Sequence, residues 1–218
     1  MSIHILVRMA TRCAIILLCA LAAHAQEPNR KEALSALQSP DATARQRAII
    51  QLAKVGEMAD ADALVKALRD DDAGVRNFAE QALWIVWSRS GDSKIDQLFA
   101  DGLARMQTGA MQAGAEIFSR IIEARPDIAE GWNKRATIYF LMGDHARSLA
   151  DCHEVLKRNP LHFGMLAGFG QIYAQQGEME KALEYFRRAL AVNPNMEGVR
   201  VNAAIIEQGL ADKSRKGI

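Results

Sequence analysis

The chain has 218 residues, with 27 Lys and Arg against 26 Asp and Glu, so its formal net charge at pH 7 is only +1. A protein this close to neutrality lacks the positive field and the clustered basic stripe that nucleic-acid binding requires. We therefore expect no nucleic-acid partner.

Residues 1–25 have the pattern of a secretory signal peptide. Arg8 and Arg12 precede an apolar run that extends from residue 13 to residue 23, and Ala-His-Ala at 23–25 favours cleavage after Ala25. The run is shorter than the ~20 residues needed to span a bilayer, so a retained membrane anchor is the weaker alternative. The sequence thus predicts an exported protein, periplasmic or secreted, with no stable membrane span after cleavage.

The cysteines carry two further expectations. Lipidation at Cys19 is disfavoured, because Leu18 stands where a small residue is usual. Cleavage after Ala25 would remove Cys13 and Cys19 and leave Cys152 as the single cysteine of a nearly neutral chain. The mature protein therefore has no intramolecular disulfide, even in an oxidising compartment.

Between residues 34 and 91 a set of residue types recurs at one fixed sequence separation, that of Leu37 and Leu68. The other matched pairs are Asp41 and Asp72, Arg45 and Arg76, Ala48 and Ala79, and Leu52 and Leu83. Each unit reads as a helix that ends near the first Leu, a turn whose Asp caps the next helix, and a second helix. We expect the Arg to reach back toward this Asp. Residues 26–91 resemble short HEAT-type repeats of the kind found in many bacterial proteins.

From Ile95 onward a second pattern recurs at a longer interval, which equals the sequence separation of Pro126 and Pro160. Three kinds of position recur: Pro126, Pro160 and Pro194; Gly109, Gly143 and Gly177; and the small residues Gly102, Ala136 and Gly170. The small residue lets two helices approach, the glycine permits a tight turn, and the proline ends the second helix. This pattern resembles the tetratricopeptide repeat. The resemblance implies helical hairpins at 95–128, 129–162 and 163–196, followed by a capping helix at 197–210.

The predicted fold is an all-α solenoid of helical hairpins. Residues 26–91 supply two HEAT-like units, residues 92–210 three tetratricopeptide units and the capping helix, and residues 211–218 a disordered basic tail. Because about three repeats are needed for a stable array, we expect the HEAT-like units to pack against the first tetratricopeptide unit. Trp84 and Trp87 would then be buried at that junction.

The segment ADCHEVLKRNP places Asp151, Cys152, His153 and Glu154 side by side, which raises the possibility of a thiol or metal centre. The repeat register instead puts Cys152 at the position of Phe118 and Phe186, so we expect a buried cysteine with its charged neighbours turned mostly to solvent. Surface solvation is the expectation for the three histidines that remain after cleavage. No catalytic residue, metal ligand or cofactor is predicted, and an enzyme centred on Cys152 stays as the alternative.

The resemblance also implies a concave groove lined by the first helix of each unit, in which a protein or peptide partner binds. Its predicted partner-binding residues are Phe99, Met106, Asn133, Thr137, Phe140, Leu141, Gln171 and Gln175, with Leu103, Gln107, Ala167 and Ala174 beside them. Amides of this kind pair with a peptide backbone, and Phe and Met provide adaptable apolar contact. The expected function is a non-enzymatic adaptor. A structural subunit of an envelope-assembly complex is a further alternative.

Overall fold

The computed structural model describes residues 29–215, so the predicted signal peptide lies outside the described residues. Within that range the chain forms eleven α-helices and one short 3-10 helix, and it contains no β-strand. The predicted all-α solenoid of helical hairpins is therefore confirmed for the part of the chain that the structure describes. No helix between residues 29 and 215 is long and apolar enough to cross a membrane.

Four helices form an N-terminal layer, which we define as residues 30–88: α1 (Arg30–Ala36), α2 (Ala42–Val55), α3 (Ala61–Ala67) and α4 (Ala73–Ser88), with the 3-10 helix at Met58–Asp60. Seven helices form a C-terminal array, residues 93–215: α5 (Ser93–Gln107), α6 (Met111–Ala124), α7 (Ala129–Leu141), α8 (His145–Arg158), α9 (Phe163–Gln175), α10 (Met179–Val192) and α11 (Glu197–Arg215).

The predicted aspartate caps are present in the N-terminal layer. Asp41 accepts from the backbone N–H groups of Thr43 and Ala44, and Asp72 accepts from that of Val75. These acceptors satisfy helix N–H groups that have no partner inside the helix. The helix pairs and their caps thus agree with two HEAT-like units, while the likeness to that family stays a prediction.

The predicted role of the two arginines was wrong. Arg45 donates to the carbonyls of Ser39 and Pro40, and its side chain pairs with Asp70 through two hydrogen bonds of 2.7 Å each. Arg76 likewise donates to the carbonyls of Asp70 and Asp71. The long guanidinium side chain reaches past the capping carboxylate to the preceding turn, and Arg45 thereby links the first unit to the second.

Glycine and proline mark the turns of the array as predicted. Gly109, Gly143 and Gly177 have φ of 77°, 77° and 79°, a left-handed conformation that residues with a Cβ rarely adopt. The second helix of each hairpin ends two residues before Pro126, Pro160 or Pro194. These turns produce the antiparallel hairpins α5/α6, α7/α8 and α9/α10. Each hairpin buries its apolar face against its neighbours.

The small residues lie where the two helices of a hairpin cross. A Cβ on Gly102 would stand 2.7 Å from the Phe118 ring, and one on Gly170 would stand 2.4 Å from the Phe186 ring. In the second hairpin Ala136 takes the glycine position and Cys152 the phenylalanine position. The predicted register is confirmed by the burial of Cys152, which is 2 % exposed.

The N-terminal layer does not stack on the first hairpin as predicted. It lies along the three inter-repeat turns instead: Arg125 donates to the Ser90 carbonyl at 3.2 Å, Phe163 is buried in the same cluster as Trp87, and the Asn193 amide donates to Glu80 at 3.2 Å. Asn195 adds a 2.7 Å hydrogen bond to the Leu68 carbonyl. Gly91, with φ of 71°, lies in the segment that turns the chain from α4 into α5.

The last helix is longer than predicted. α11 continues past Leu210 to Arg215, so residues 211–215 of the expected tail are helical, and residues 216–218 lie outside the described residues. Lys213 and Arg215 lie in its last turn, where a positive charge interacts favourably with the negative end of the helix dipole.

Candidate functional site

Two adjoining cavities form a groove along the array, which we call the groove hereafter. The inner cavity, of about 300 Å³, lies between α7, α8, α9 and the start of α11. The outer cavity, of about 490 Å³, lies between α9, α10 and α11. Phe140 and Gln171 line both, so the two cavities adjoin each other. No residue of the N-terminal layer lines either cavity.

Five of the eight predicted partner-binding residues line this groove. Asn133 and Thr137 lie on the inner cavity, Phe140 and Gln171 on both, and Gln175 on the outer cavity. Thr137, Gln171 and Gln175 are exposed to solvent. They meet because successive first helices of a repeat array stand side by side, so positions one repeat apart share one face.

The structure does not bring the other three to the groove. Phe99 is 7 % exposed and packs edge-on against Phe118, at a ring separation of 5.8 Å, within the core of the first hairpin. Met106 packs at the edge of the same core. Leu141 is exposed but lines neither cavity. The first unit thus supplies no lining residue to either cavity, because its apolar face packs within its own hairpin.

Asn133 has a structural partner. Its amide donates to Glu130 at 2.9 Å, and Lys134 approaches the same carboxylate at 3.2 Å. Both groups are thus committed to Glu130, a carboxylate with no exposed surface. Asn133 therefore lines the inner cavity, but its amide N–H is already used in the hydrogen bond to Glu130.

His162 completes this buried network, contrary to the predicted surface position. Its Nδ1 accepts from the Met165 backbone N–H at 3.0 Å, which caps α9, and its Nε2 lies 2.7 Å from Glu130. Since Nδ1 is an acceptor, Nε2 carries the proton and donates to the carboxylate. Burial by itself raises the pKa of Glu130, but the hydrogen bond and electrostatic interaction with His162, the charge of Lys134 and the Asn133 hydrogen bond lower that pKa to about 2.

Sequence reasoning missed the wall that α11 contributes. Met196 and Val199 line the inner cavity, and Asn202 and Ile205 line the outer one. A signal was available, because one more repeat period from Gln171 leads to Ile205. Ile205 is 65 % exposed, a degree unusual for a large apolar side chain on an amphipathic helix.

The groove has a simple chemistry. Amides and hydroxyls of Thr137, Gln171, Gln175 and Asn202 alternate with apolar side chains, and neither cavity is lined by any charged residue. Such a surface can pair with backbone groups and bury apolar side chains, but it has no counter-charge for an ionised ligand.

The segment ADCHEVLKRNP lies mostly on α8, and its Cys152 side chain is buried. Burial raises the pKa of Cys152 to about 12, so the thiol is protonated at neutral pH. Asp151, expected at the surface, is 4 % exposed and pairs with Arg135 through two 2.8 Å hydrogen bonds. Between residues 29 and 215 no three His, Cys, Asp or Glu side chains converge as metal ligands would. Through its hydrogen bonds to Arg135, the Asp151 carboxylate joins α8 to α7.

Comparison with known proteins supports the tetratricopeptide prediction for the C-terminal part of the chain. Residues 170–196 match the family model described as tetratricopeptide repeat. They span the end of α9, all of α10 and the turn before α11.

Two relatives carry the same repeat. A TPR repeat-containing protein of Rhizobium etli is 29 % identical over 126 residues, which cover 58 % of this chain and 62 % of that protein. The small glutamine-rich tetratricopeptide repeat-containing protein 2 of Mycosarcoma maydis is 23 % identical over 122 residues, 56 % of this chain and 35 % of the relative. The chain thus matches less than two thirds of the length of either relative.

Solved structures of similar fold include tetratricopeptide-repeat domains and MamA. The first TPR of Spaghetti (RPAP3), bound to the HSP90 peptide SRMEEVD, superposes with a TM-score of 0.52 at 21 % identity, over 55 % of this chain and 96 % of that one. The Sgt2 TPR domain from Aspergillus fumigatus gives 0.53 at 14 %, over 57 % and 83 %. MamA gives 0.51 at 16 %, over 73 % and 88 %. More than half of this chain therefore has a tetratricopeptide-repeat fold.

Proposed function

We propose that this protein is a non-enzymatic adaptor that binds an uncharged, apolar segment of a protein partner in the groove between α7, α9 and α11. One observation carries the proposal: two open, adjoining cavities are lined by amide, hydroxyl and apolar side chains and by no charged ones. A segment rich in Asp, Glu, Lys or Arg would lose its hydration there without gaining a counter-charge.

The side chains around the outer cavity suit such a segment. Gln171, Gln175 and Asn202 can donate to and accept from its backbone, while Phe140 and Ile205 offer apolar contact. Ile205 is exposed in the free protein, so its burial by a partner would remove apolar surface from water.

The TPR of Spaghetti, which was solved with a peptide bound, supports peptide binding by this fold. Its ligand SRMEEVD carries three acidic residues and one basic residue. In the present protein Lys134, next in sequence to the groove residue Asn133, is held by Glu130 and lies 5.7 Å from the centre of the Trp84 ring. The preferred segment should therefore differ in charge from that ligand.

Selection of peptides from a random display library on the immobilised protein tests this proposal. The selected peptides should be apolar and uncharged in their shared positions. The variants Gln171→Arg and Ile205→Arg should each weaken binding of a selected peptide by about tenfold or more, because a charge then occupies an apolar wall. Leu141→Arg, which adds the same charge outside the cavities, is the matched control. Equal binding by all three variants would show that the peptides bind elsewhere.

We also propose that the adaptor acts outside the cytoplasm, in the periplasm or as a secreted protein. The support is the basic, apolar and Ala-His-Ala pattern of residues 1–25. Mass spectrometry of the protein recovered from its native host checks this, with an N-terminus at Gln26 as the expected result. An intact N-terminus on all of the protein would contradict it.

The enzyme centred on Cys152 is the less favoured reading, because the thiol is buried and its pKa is raised to about 12. We expect iodoacetamide to label Cys152 only under denaturing conditions, as measured by intact mass. Rapid labelling of the folded protein would restore this alternative.

A further inference from the structure

A third cavity, separate from the groove, lies between the N-terminal layer and the first two inter-repeat turns. Its volume is about 220 Å³, and it is enclosed by the end of α4, the turn that follows α6 and the end of α8. Among its walls are Trp87, Arg89, Arg125, Arg158 and Asn159. It shares no lining residue with the two cavities of the groove.

Two buried hydrogen-bond donors in this cavity lack a partner among residues 29–215. They are the Trp87 indole Nε1 and the Asn159 Nδ2, on residues that are 4 % and 2 % exposed. The Asn159 Oδ1 accepts from the Leu161 backbone N–H at 3.2 Å, which leaves the NH₂ as the free side of the amide. Burying a donor without a partner is unfavourable, so two such residues in the walls of one cavity call for an acceptor.

The charge of the cavity has the matching sign. Three guanidinium groups and the Asp127 carboxylate line it; Arg125 pairs with Asp127 and Arg158 with Glu154, so Arg89 supplies the net positive charge of this set. Each guanidinium is held by a backbone carbonyl: Arg89 donates to Ala53 and Gly56, Arg125 to Ser90, and Arg158 to Pro126. The positive charges are therefore fixed in place before any ligand arrives, which lowers the cost of binding.

We propose that this cavity binds a small oxyanion, a carboxylate or a phosphate. Indole and amide N–H groups and guanidinium groups are all donors, which matches the acceptor-only oxygens of such an anion. Sites for larger organic ligands typically begin at roughly 300 Å³, and this cavity is smaller, so the ligand is a small one. Because the walls come from both parts of the fold, the bound anion fastens the N-terminal layer to the array.

Titration of the ¹⁵N-labelled protein with inorganic phosphate and with acetate tests the proposal. The indole N–H signals of Trp84, Trp87 and Trp132 are followed by NMR, with chloride at equal ionic strength as the reference. The Trp87 signal should move saturably with one or both oxyanions. A response to phosphate alone assigns the site to phosphates, and a response to acetate alone assigns it to carboxylates. An unmoved Trp87 signal would overturn the proposal, since the donors are then satisfied by water alone.

Variants separate this site from a general effect of charge. Trp87→Phe identifies the signal. Asn159→Asp keeps the acceptor for Leu161 but replaces the donor by an anionic oxygen, so the oxyanion should bind at least about tenfold more weakly. Gln208→Glu, an exposed change on α11, adds the same charge outside the cavity and should leave binding unchanged. Arg158→Gln, which touches neither donor, should also weaken binding. Unchanged affinity in both Asn159→Asp and Arg158→Gln would overturn the proposal.

Discussion

Where two helices of a hairpin cross, the size of one side chain sets the size of the other. Glycine at 102 and 170 faces phenylalanine at 118 and 186, whereas Ala136 faces the smaller Cys152. The glycines lack a Cβ because the facing ring already occupies that space. The apparently reactive cysteine is therefore one half of a packing pair.

Exchanging this pair between hairpins gives a test. Gly170→Ala alone should destabilise the protein by about 1 to 3 kcal/mol, because its Cβ would overlap the Phe186 ring. Phe186→Cys alone should cost about 3 kcal/mol through lost burial. The double variant, which copies Ala136 and Cys152, should cost at least about 1 kcal/mol less than the two single costs combined, as measured by urea unfolding. Additive costs would show that the two positions do not touch.

The buried Glu130 predicts a pH dependence. Its pKa is lowered to about 2 in the folded protein, whereas an unfolded Glu has its ordinary value near 4.5. This carboxylate therefore contributes stability above that ordinary pKa, and the contribution is lost as the pH falls from about 4.5 toward 2.

The variant Glu130→Gln isolates this contribution. Near neutral pH the variant should be less stable than the wild type by about 2 kcal/mol, because charge-assisted hydrogen bonds from His162 and Asn133 are lost. The difference should shrink when urea unfolding is repeated at acid pH. Glu123→Gln, at an exposed site, is the control and should show no such convergence. A difference that is constant with pH would mean that Glu130 is not ionised in the folded state.

The structural roles of residue types that recur at the repeat period could be predicted from the sequence. The roles of residues that occur in one repeat alone could not. The glycine and proline positions repeat at one fixed period, so each hairpin confirms the next. His162 stands where the other repeats have Ile128 and Met196, and its partner Glu130 lies 32 residues away, near the opposite end of the predicted repeat 129–162. A polar residue that replaces an apolar one in a single repeat leaves no periodic signal. The sequence therefore predicted a solvated surface position for His162, which is buried with Glu130.

At the scale of elements, a close contact between Trp84 and Gly164 helps to hold the N-terminal layer against the array. Trp84 of α4 lies over Gly164 at the start of α9, where an added Cβ would stand 2.5 Å from the ring. The ring also packs edge-on against Trp87 and Phe163, at centroid separations of 5.5 and 5.2 Å. It therefore has little freedom to move aside.

Two glycines of α9 provide a matched comparison for this contact. Gly164→Ala should destabilise the protein by about 1 to 3 kcal/mol by pushing Trp84 away. Gly168→Ala, one turn later, would meet only the Met165 sulfur at 3.9 Å and should stabilise by up to about 1 kcal/mol, because alanine favours the helix. Thermal or urea unfolding of both variants decides the matter. An equal gain from both would show that α4 does not press on α9.

The sequence predicted the helices of the N-terminal layer but not its position. Its caps are local signals that follow from Asp41 and Asp72, whereas its docking depends on a reversal at Gly91 and on contacts such as Asn195 to Leu68, 127 residues apart. Stacking of repeats suggested continuation along the array. The layer instead lies along the inter-repeat turns, where its Trp87 is buried together with Phe163 of the array.

At the scale of the whole molecule, this placement separates two surfaces. The N-terminal layer covers the inter-repeat turns, and the groove between α7, α9 and α11 stays open with no residue of that layer in its walls. α11 acts as a cap on the array and also adds Ile205 to the groove. The proposed partner therefore meets a preformed surface, one whose binding requires no displacement of the N-terminal layer.

The most direct test of this account is site-specific photocrosslinking in the native host. A photoreactive amino acid placed at Gln171 or at Ile205 should give the same crosslinked partner from both positions, because the two residues line one cavity. The exposed control position Leu141 should give no such product. Crosslinks from Leu141 equal to those from Gln171 and Ile205, or none from the two groove positions, would contradict the assignment of the groove as the partner-binding site.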